Sequence, residues 1–183
     1  MLFNLFGNSK EESPERKFTD KVYISTEAKM NACLQLFREQ PATVFIAWFT
    51  TTAKNFENFF QQHREDTSCI IEARMIHTGK LSNHVPVFIE HYPLHEKELA
   101  LIENWEQKKI TIYSAMDEPL FKHLGSDKMI PLIKLLGMNE NESIEHSYVT
   151  QSIIKGQQKI AGKVTIEQSA NSQEEWMERN LKD

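Results

Sequence analysis

The stretch from residue 42 to 49, ATVFIAWF, is an unbroken run of apolar, β-branched and aromatic side chains. A strand with one wet face would alternate apolar and polar residues, so this one is expected to be central in its sheet and covered on both faces. Such a strand needs helices on both sides, and the flanking sequence carries their patterns. Before it, Ser25 or Thr26 is placed to cap a helix in which Met30, Cys33, Leu34 and Phe37 recur at helical spacing, and Pro41 ends that helix. After it, the threonines of TTTAKNFENFFQQH open a second helix with Ala53, Phe56, Phe59 and Phe60 on one face.

VYIS, SCIIEARMI, VPVFIEHY and KITIYSA are further strand candidates, and LHEKELALIENWEQ reads as a helix with Leu94, Leu101, Ile102 and Trp105 inward. Strands alternating with helices predict a three-layer α/β domain with a mostly parallel sheet. Past Asp117 the pattern becomes helical. SDKMIPLIKLLGM offers Ser126 or Asp127 as a cap, an apolar face at Met129, Leu132, Ile133 and Leu136, and a stop at Gly137. Val149, Ile153, Gly156 and Ile160 then share one side of another helix, and a short helix is expected near Trp176 and Leu181. The chain thus divides into a flexible or amphipathic lead-in (1–20), an α/β domain (21–117) and a helical extension packed on it (118–183).

A length of 183 residues suits one domain with short appendages. With 26 acidic against 21 basic side chains, the net charge of -5 excludes a nonspecific electrostatic grip on nucleic acid. Cys33 and Cys69 stand singly in apolar surroundings without a CxxC pair, as expected of reduced core thiols. No apolar run approaches the roughly 20 residues of a membrane-spanning helix, so a cytoplasmic location is expected. Membrane association would be peripheral, through the N-terminal tip MLFNLFG. There Leu2, Phe3 and Phe6 lie on one side of a short amphipathic helix and are candidates for docking on a membrane surface or a partner, against a tip folded back on the core.

Between Ile110 and Ile160 several short motifs follow one another in a specific order. MDEPL leads to SDK, then to LLGM, then to IEH, VT and QQK. This succession resembles SecA, the ATPase that drives preproteins through the bacterial SecY channel, where such motifs follow the closing strand of the second RecA-like domain. VYISTEAKMNACLQLF is similar to the strand and helix that open that domain, and MLFNLFGNSKEESPERK to the start of many SecA chains. The resemblance implies a RecA-like, P-loop-NTPase-like fold and a protein partner: SecA itself, the SecY channel or precursor chains.

The chemistry of a motor is missing from the same region. A P-loop, GxxxxGK[ST], cradles phosphates with backbone N–H groups, a lysine and a hydroxyl. Neither Gly79-Lys80-Leu81 nor Gly162-Lys163-Val164 has the earlier glycine or the following hydroxyl. In the family the P-loop belongs to the first RecA-like domain, and the second contributes arginine to stabilise the transferring phosphoryl group. Here no arginine occurs between Arg74 and Arg179. The resemblance therefore implies a shortened second motor domain without ATPase activity, catalytic residues or cofactor. An alternative is a nucleotide half-site completed by another subunit, with Lys80, Lys108 and Lys109 as the available phosphate ligands. Another is an α/β domain holding a small ligand at the carboxyl ends of its strands.

His91 and His95, with Glu90 and Glu96 beside them and His77 and His84 upstream, are metal-ligand candidates. Pro93 interrupts helical geometry between them, which favours a strand-end histidine and a solvated helix-start histidine. Glu145, His146, Gln157 and Lys159 match the family's Ile-Glu-His and Gln-x-Lys elements and are candidates for partner binding, with Glu145 and His146 also expected to fix the start of their helix. No GxSxG elbow is present.

Overall fold

The computed structural model describes residues 18–76, 81, 83–107 and 109–181. Five strands form a single sheet: β1 (Phe18–Tyr23), β2 (Thr43–Ala47), β3 (Ile70–Glu72), β4 (Val85–Phe88) and β5 (Ile110–Ala115). Their spatial order is β1-β5-β4-β2-β3, and every neighbouring pair is parallel. This is the expected three-layer α/β arrangement, RecA-like in layout, followed by helices. All five residues of β2 are buried, as its composition requires. It is an interior strand, although β4 occupies the middle of the sheet.

α1 (Thr26–Glu39) and α2 (Thr50–Gln62) cover one face. Cys33, Leu34, Phe56 and Phe60 pack there against Phe45, Val87, Ile89 and Tyr113. Both cysteines are free thiols in this layer, and burial pushes each thiol pKa up. The opposite face is covered by α3 (His95–Ile102) and its flanks, where Trp48, Phe88 and Trp105 stack with ring centroids 5.4 and 5.9 Å apart.

Element boundaries differ from the sequence patterns at several places. β4 ends at Phe88, short of the Tyr92 that closes VPVFIEHY. β1 begins at Phe18, inside the stretch expected to be lead-in, because Phe18 and Asp20 are buried on the sheet. β3 is cut short by a 3₁₀ turn at Ala73–Met75. α3 ends at Ile102, short of the expected Trp105, whose indole joins the stack instead.

The chain after β5 forms α4 (Pro119–His123), α5 (Ser126–Leu135), α6 (Ser147–Ala161) and α7 (Gln173–Asn180). These helices gather at the carboxyl end of the sheet around Trp176, Leu120, Phe121, Ile153 and Ile160. Gly156 of α6 lets Leu124 lie against its backbone, since a Cβ there would collide with the Leu124 side chain. α5 closes in a Schellman motif: Gly137, at φ 90°, donates to Lys134 O and Met138 to Ile133 O. The segment between α5 and α6 then pairs Ile144 with Val22 in an antiparallel bridge, covering the free edge of β1.

Trp176 is fully buried and its indole N–H donates to Glu167 at 3.0 Å. Trp176→Ala is expected to lower unfolding free energy by about 3–5 kcal/mol, the usual cost of emptying a large aromatic site. Urea unfolding followed by far-UV circular dichroism measures it. A variant as stable as the parent would mean that α7 adds nothing to the fold.

Candidate functional site

In open α/β sheets ligands bind beyond the carboxyl ends of the strands, where helix N-termini offer unpaired N–H groups. Here that edge is supplied by the turns after β1, β2, β4 and β5, and the N-termini of α1, α2 and α4 are already held by other groups of the chain itself. Asp117, after β5, accepts from the Thr26 N–H at 2.8 and 3.0 Å and from the Thr26 hydroxyl at 2.7 Å. Glu90, after β4, accepts from the N–H groups of Trp48 and Phe49 and from the Thr52 hydroxyl. The carbonyl of Asn171 takes the Thr51 N–H, and the Gln173 side chain takes that of Leu120.

A small cavity of about 210 Å³ opens among these groups. Glu90, Asp117 and Glu118 line it, and Lys29 is the one cation among its described residues. Lys29 is 1% exposed and donates to Ile89 O and to Glu118, with which it forms a buried ion pair. Burial pushes Glu90 up to about 7 and raises Glu118, while Lys29 pulls both the other way. An edge so populated repels a phosphate and leaves few N–H groups to hold one. Lys109 lies just before β5, at the opposite, amino end of the sheet. Lys80 and Lys108 lie outside the described residues.

His91 and His95 converge on Glu98 of α3 instead of forming a helical pair. His91 Nδ1 is 2.9 Å from Glu98 Oε1, His91 Nε2 is 2.8 Å from Asp20 Oδ1, and His95 Nδ1 is 3.0 Å from Glu98 Oε2. The reading of a solvated His95 is corrected by this geometry, since its side chain is 17% exposed and hydrogen-bonded. Burial opposes charge on His91, but Glu98 and then Asp20 overcome it and lift its pKa to about 10. Burial likewise opposes charge on Glu98, but His91, His95 and Gln157 hold it down to about 2. A protonated His91 donates from both nitrogens and offers no lone pair to a metal. Among the described residues no group of three or more His, Cys, Asp or Glu is arranged to hold a metal ion.

The partner-binding candidates separate by exposure. Gln157 is fully buried, donating to Tyr92 O at 2.7 Å and to Glu98 Oε2 at 3.0 Å, so it fastens α6 to the α/β domain and presents nothing to a partner. Glu145 pairs with Lys21 at 3.1 Å, and His146 is the N-cap of α6, its ring accepting from the Tyr148 N–H. Lys159 is exposed. Leu2, Phe3 and Phe6 lie outside the described residues.

The surface that sequence patterns missed is on α5. Its N-cap is Gly125, not Ser126 or Asp127, and the Ser126 hydroxyl donates inward to Met116 O. Of the expected inward face only Ile133 packs on the core, together with Ile130. Met129, Leu132, Leu135 and Leu136 are 52%, 56%, 82% and 78% exposed. The adjoining groove, about 620 Å³, runs between the α4–α5 pair and α6.

No protein-family model matches the chain. Among curated proteins, the protein translocase subunit SecA of two strains of Acidithiobacillus ferrooxidans is 46% identical over 48 residues, 26% of this chain and 5% of that protein. SecA of Methylococcus capsulatus is 42% identical over 48 residues, with the same coverage. Part of this chain is SecA-like. The match covers a small fraction of those relatives, and SecA's activity as a whole does not transfer with it. The SecA-like motifs from Ile110 to Ile160 build β5, α4, α5 and nearly all of α6, and hence most of the groove.

The sign of the pH dependence follows from the two shifts. His91 contributes in full below its ordinary 6.5 and loses its contribution as pH rises through about 10. Glu98 contributes in full above its ordinary 4.5 and loses its contribution as pH falls through about 2. His91→Gln is therefore expected to cost about 3–5 kcal/mol at pH 7, because it leaves two buried carboxylates without their cation. Urea midpoints from pH 7 to pH 10 should fall more steeply for the parent chain than for this variant. Parallel profiles would show that His91 is not held charged.

Proposed function

We propose that this chain is a non-catalytic, SecA-related interaction module linked to protein export, acting on SecA, on the SecY channel or on precursor chains. The carrying observation is that the SecA-like segment supplies most of the large apolar side chains exposed on the described surface, those of α5 above all. The proteins it resembles are translocase subunits, and a link to export follows from that similarity. Loss of ATP chemistry is supported by the missing P-loop and arginines and by a carboxyl edge whose helix N-termini are capped by Asp117, Glu90 and Gln173. No described helix is long and apolar enough to cross a membrane.

Two measurements test the reading. Magnesium nucleotide at 100 times its Kd stabilises a native state by about 2.7 kcal/mol, which for a chain of this size raises Tm by roughly 5–10 °C. ATP and ADP at millimolar concentration are expected to leave Tm unchanged, with no phosphate released; a shift would instead favour a nucleotide half-site completed by another subunit. Tagged chain incubated with membranes and cytosol of its source is expected to recover SecA, SecY or precursor chains. Stable bait that recovers none of them would end the export reading.

A further inference from the structure

We infer that the groove between α5 and α6 receives an amphipathic helix of a partner protein, apolar on the buried face and acidic along one flank. This deepens the interaction role proposed above and rests on it. The groove's floor is Phe121, Ile144 and Ile153, and its α5 wall includes Met129. Leu132, Leu135 and Leu136 continue the apolar surface over the rim. An apolar slot between two helices fits the ridge of a third, with anchors at helical spacing.

Charge selects the flank. Lys155, Lys159 and Lys163 line the same groove at intervals of four residues, so they form one row along α6 and just past its C-cap, Gly162. All three are exposed, and none is in an ion pair among the described residues. No aspartate or glutamate is among the described residues lining the groove, although acids outnumber bases in the chain. Cations left unpaired beside an apolar slot, in an acidic protein, match a partner whose carboxylates face them.

The other occupants fit less well. A second copy offering its own exposed α5 would bring Lys128 and Lys134, with Asp127 as that helix's one acid. An anionic bilayer is too flat to fill a concave slot, and it meets a chain of net charge -5.

The test is fluorescence anisotropy of the full chain with two synthetic helical peptides of about five turns. Both carry leucine and phenylalanine on one face; one has glutamates at intervals of four along the flank, the other lysines. The glutamate peptide is expected to bind, to weaken as salt rises, and to exceed the lysine peptide by at least about tenfold. Lys155→Glu, Lys159→Glu and Lys163→Glu together, on an exposed surface whose folding circular dichroism verifies, should invert that preference. Leu132→Glu should abolish binding of either peptide.

Equal affinity for the two peptides, or no binding by either, overturns the inference. So does binding that emerges only once residues 2–17 are deleted, which would give the groove to the chain's own N-terminal segment. A dimer in solution dispersed by Leu132→Glu, or sedimentation with anionic vesicles lost in that variant, would give it to a second copy or to lipid. Failure of the peptides with recovery of SecA or SecY would discard the groove and keep the export role; peptide binding without such recovery would do the reverse.

Discussion

A buried charge network holds the two halves of this molecule together. Glu98 of α3 receives His91 from the turn after β4, His95 from its own helix and Gln157 from α6, while His91 also reaches Asp20 on β1. Charges this deep are tolerated only when each is matched by an opposite charge or a donor. The matching groups come from strand, turn, sheet-covering helix and helical extension, so a displacement of any of these elements takes a partner from a buried charge. The network therefore fixes orientation in a way that the apolar contacts around Trp176 cannot, because apolar contact is not directional.

The same extension that the network fastens also determines which surfaces remain free. Its return toward the sheet brings Asn171 and Gln173 onto helix N-termini at the carboxyl edge. That edge becomes acidic, with the N-termini of α1, α2 and α4 taken up by the chain's own groups. The outer side of α5 is left with leucines in water, and α6 with a row of lysines. In a fold of this class the free surface usually lies where the strands end; in this chain it lies one helical layer further out, on the segment with the SecA-like motifs.

Much of the architecture was legible in local pattern. β2 announced itself by lack of alternation, α1 and α2 by the spacing of their phenylalanines and leucines, and Gly137 by the glycine that a left-handed helix end requires. The polar network was not legible, because Asp20 and His91 are 71 positions apart and nothing local marks their meeting. Lys29 carried a clue: it stands one turn before Cys33 on the apolar stripe of α1, where a cation needs a buried partner. For α5, periodicity marked apolar positions correctly but could not say whether they face this chain's core or something else. Gln157 was misjudged for the converse reason, since polar residues inside a motif look like surface until their partners are seen.

The place of β1 in the sheet has a consequence for assembly. It pairs in register with β5, Phe18 beside Ile110 and Tyr23 beside Ala115, and its other edge is closed by Ile144. β1 thus has no sheet neighbour among the strands that directly follow it in the chain. During synthesis it must wait until β5 and then the α5–α6 connection have emerged, and closing so long a loop is slow. The first of the described strands is consequently among the last to be secured, and for that interval its backbone hydrogen-bonding groups are open to other chains.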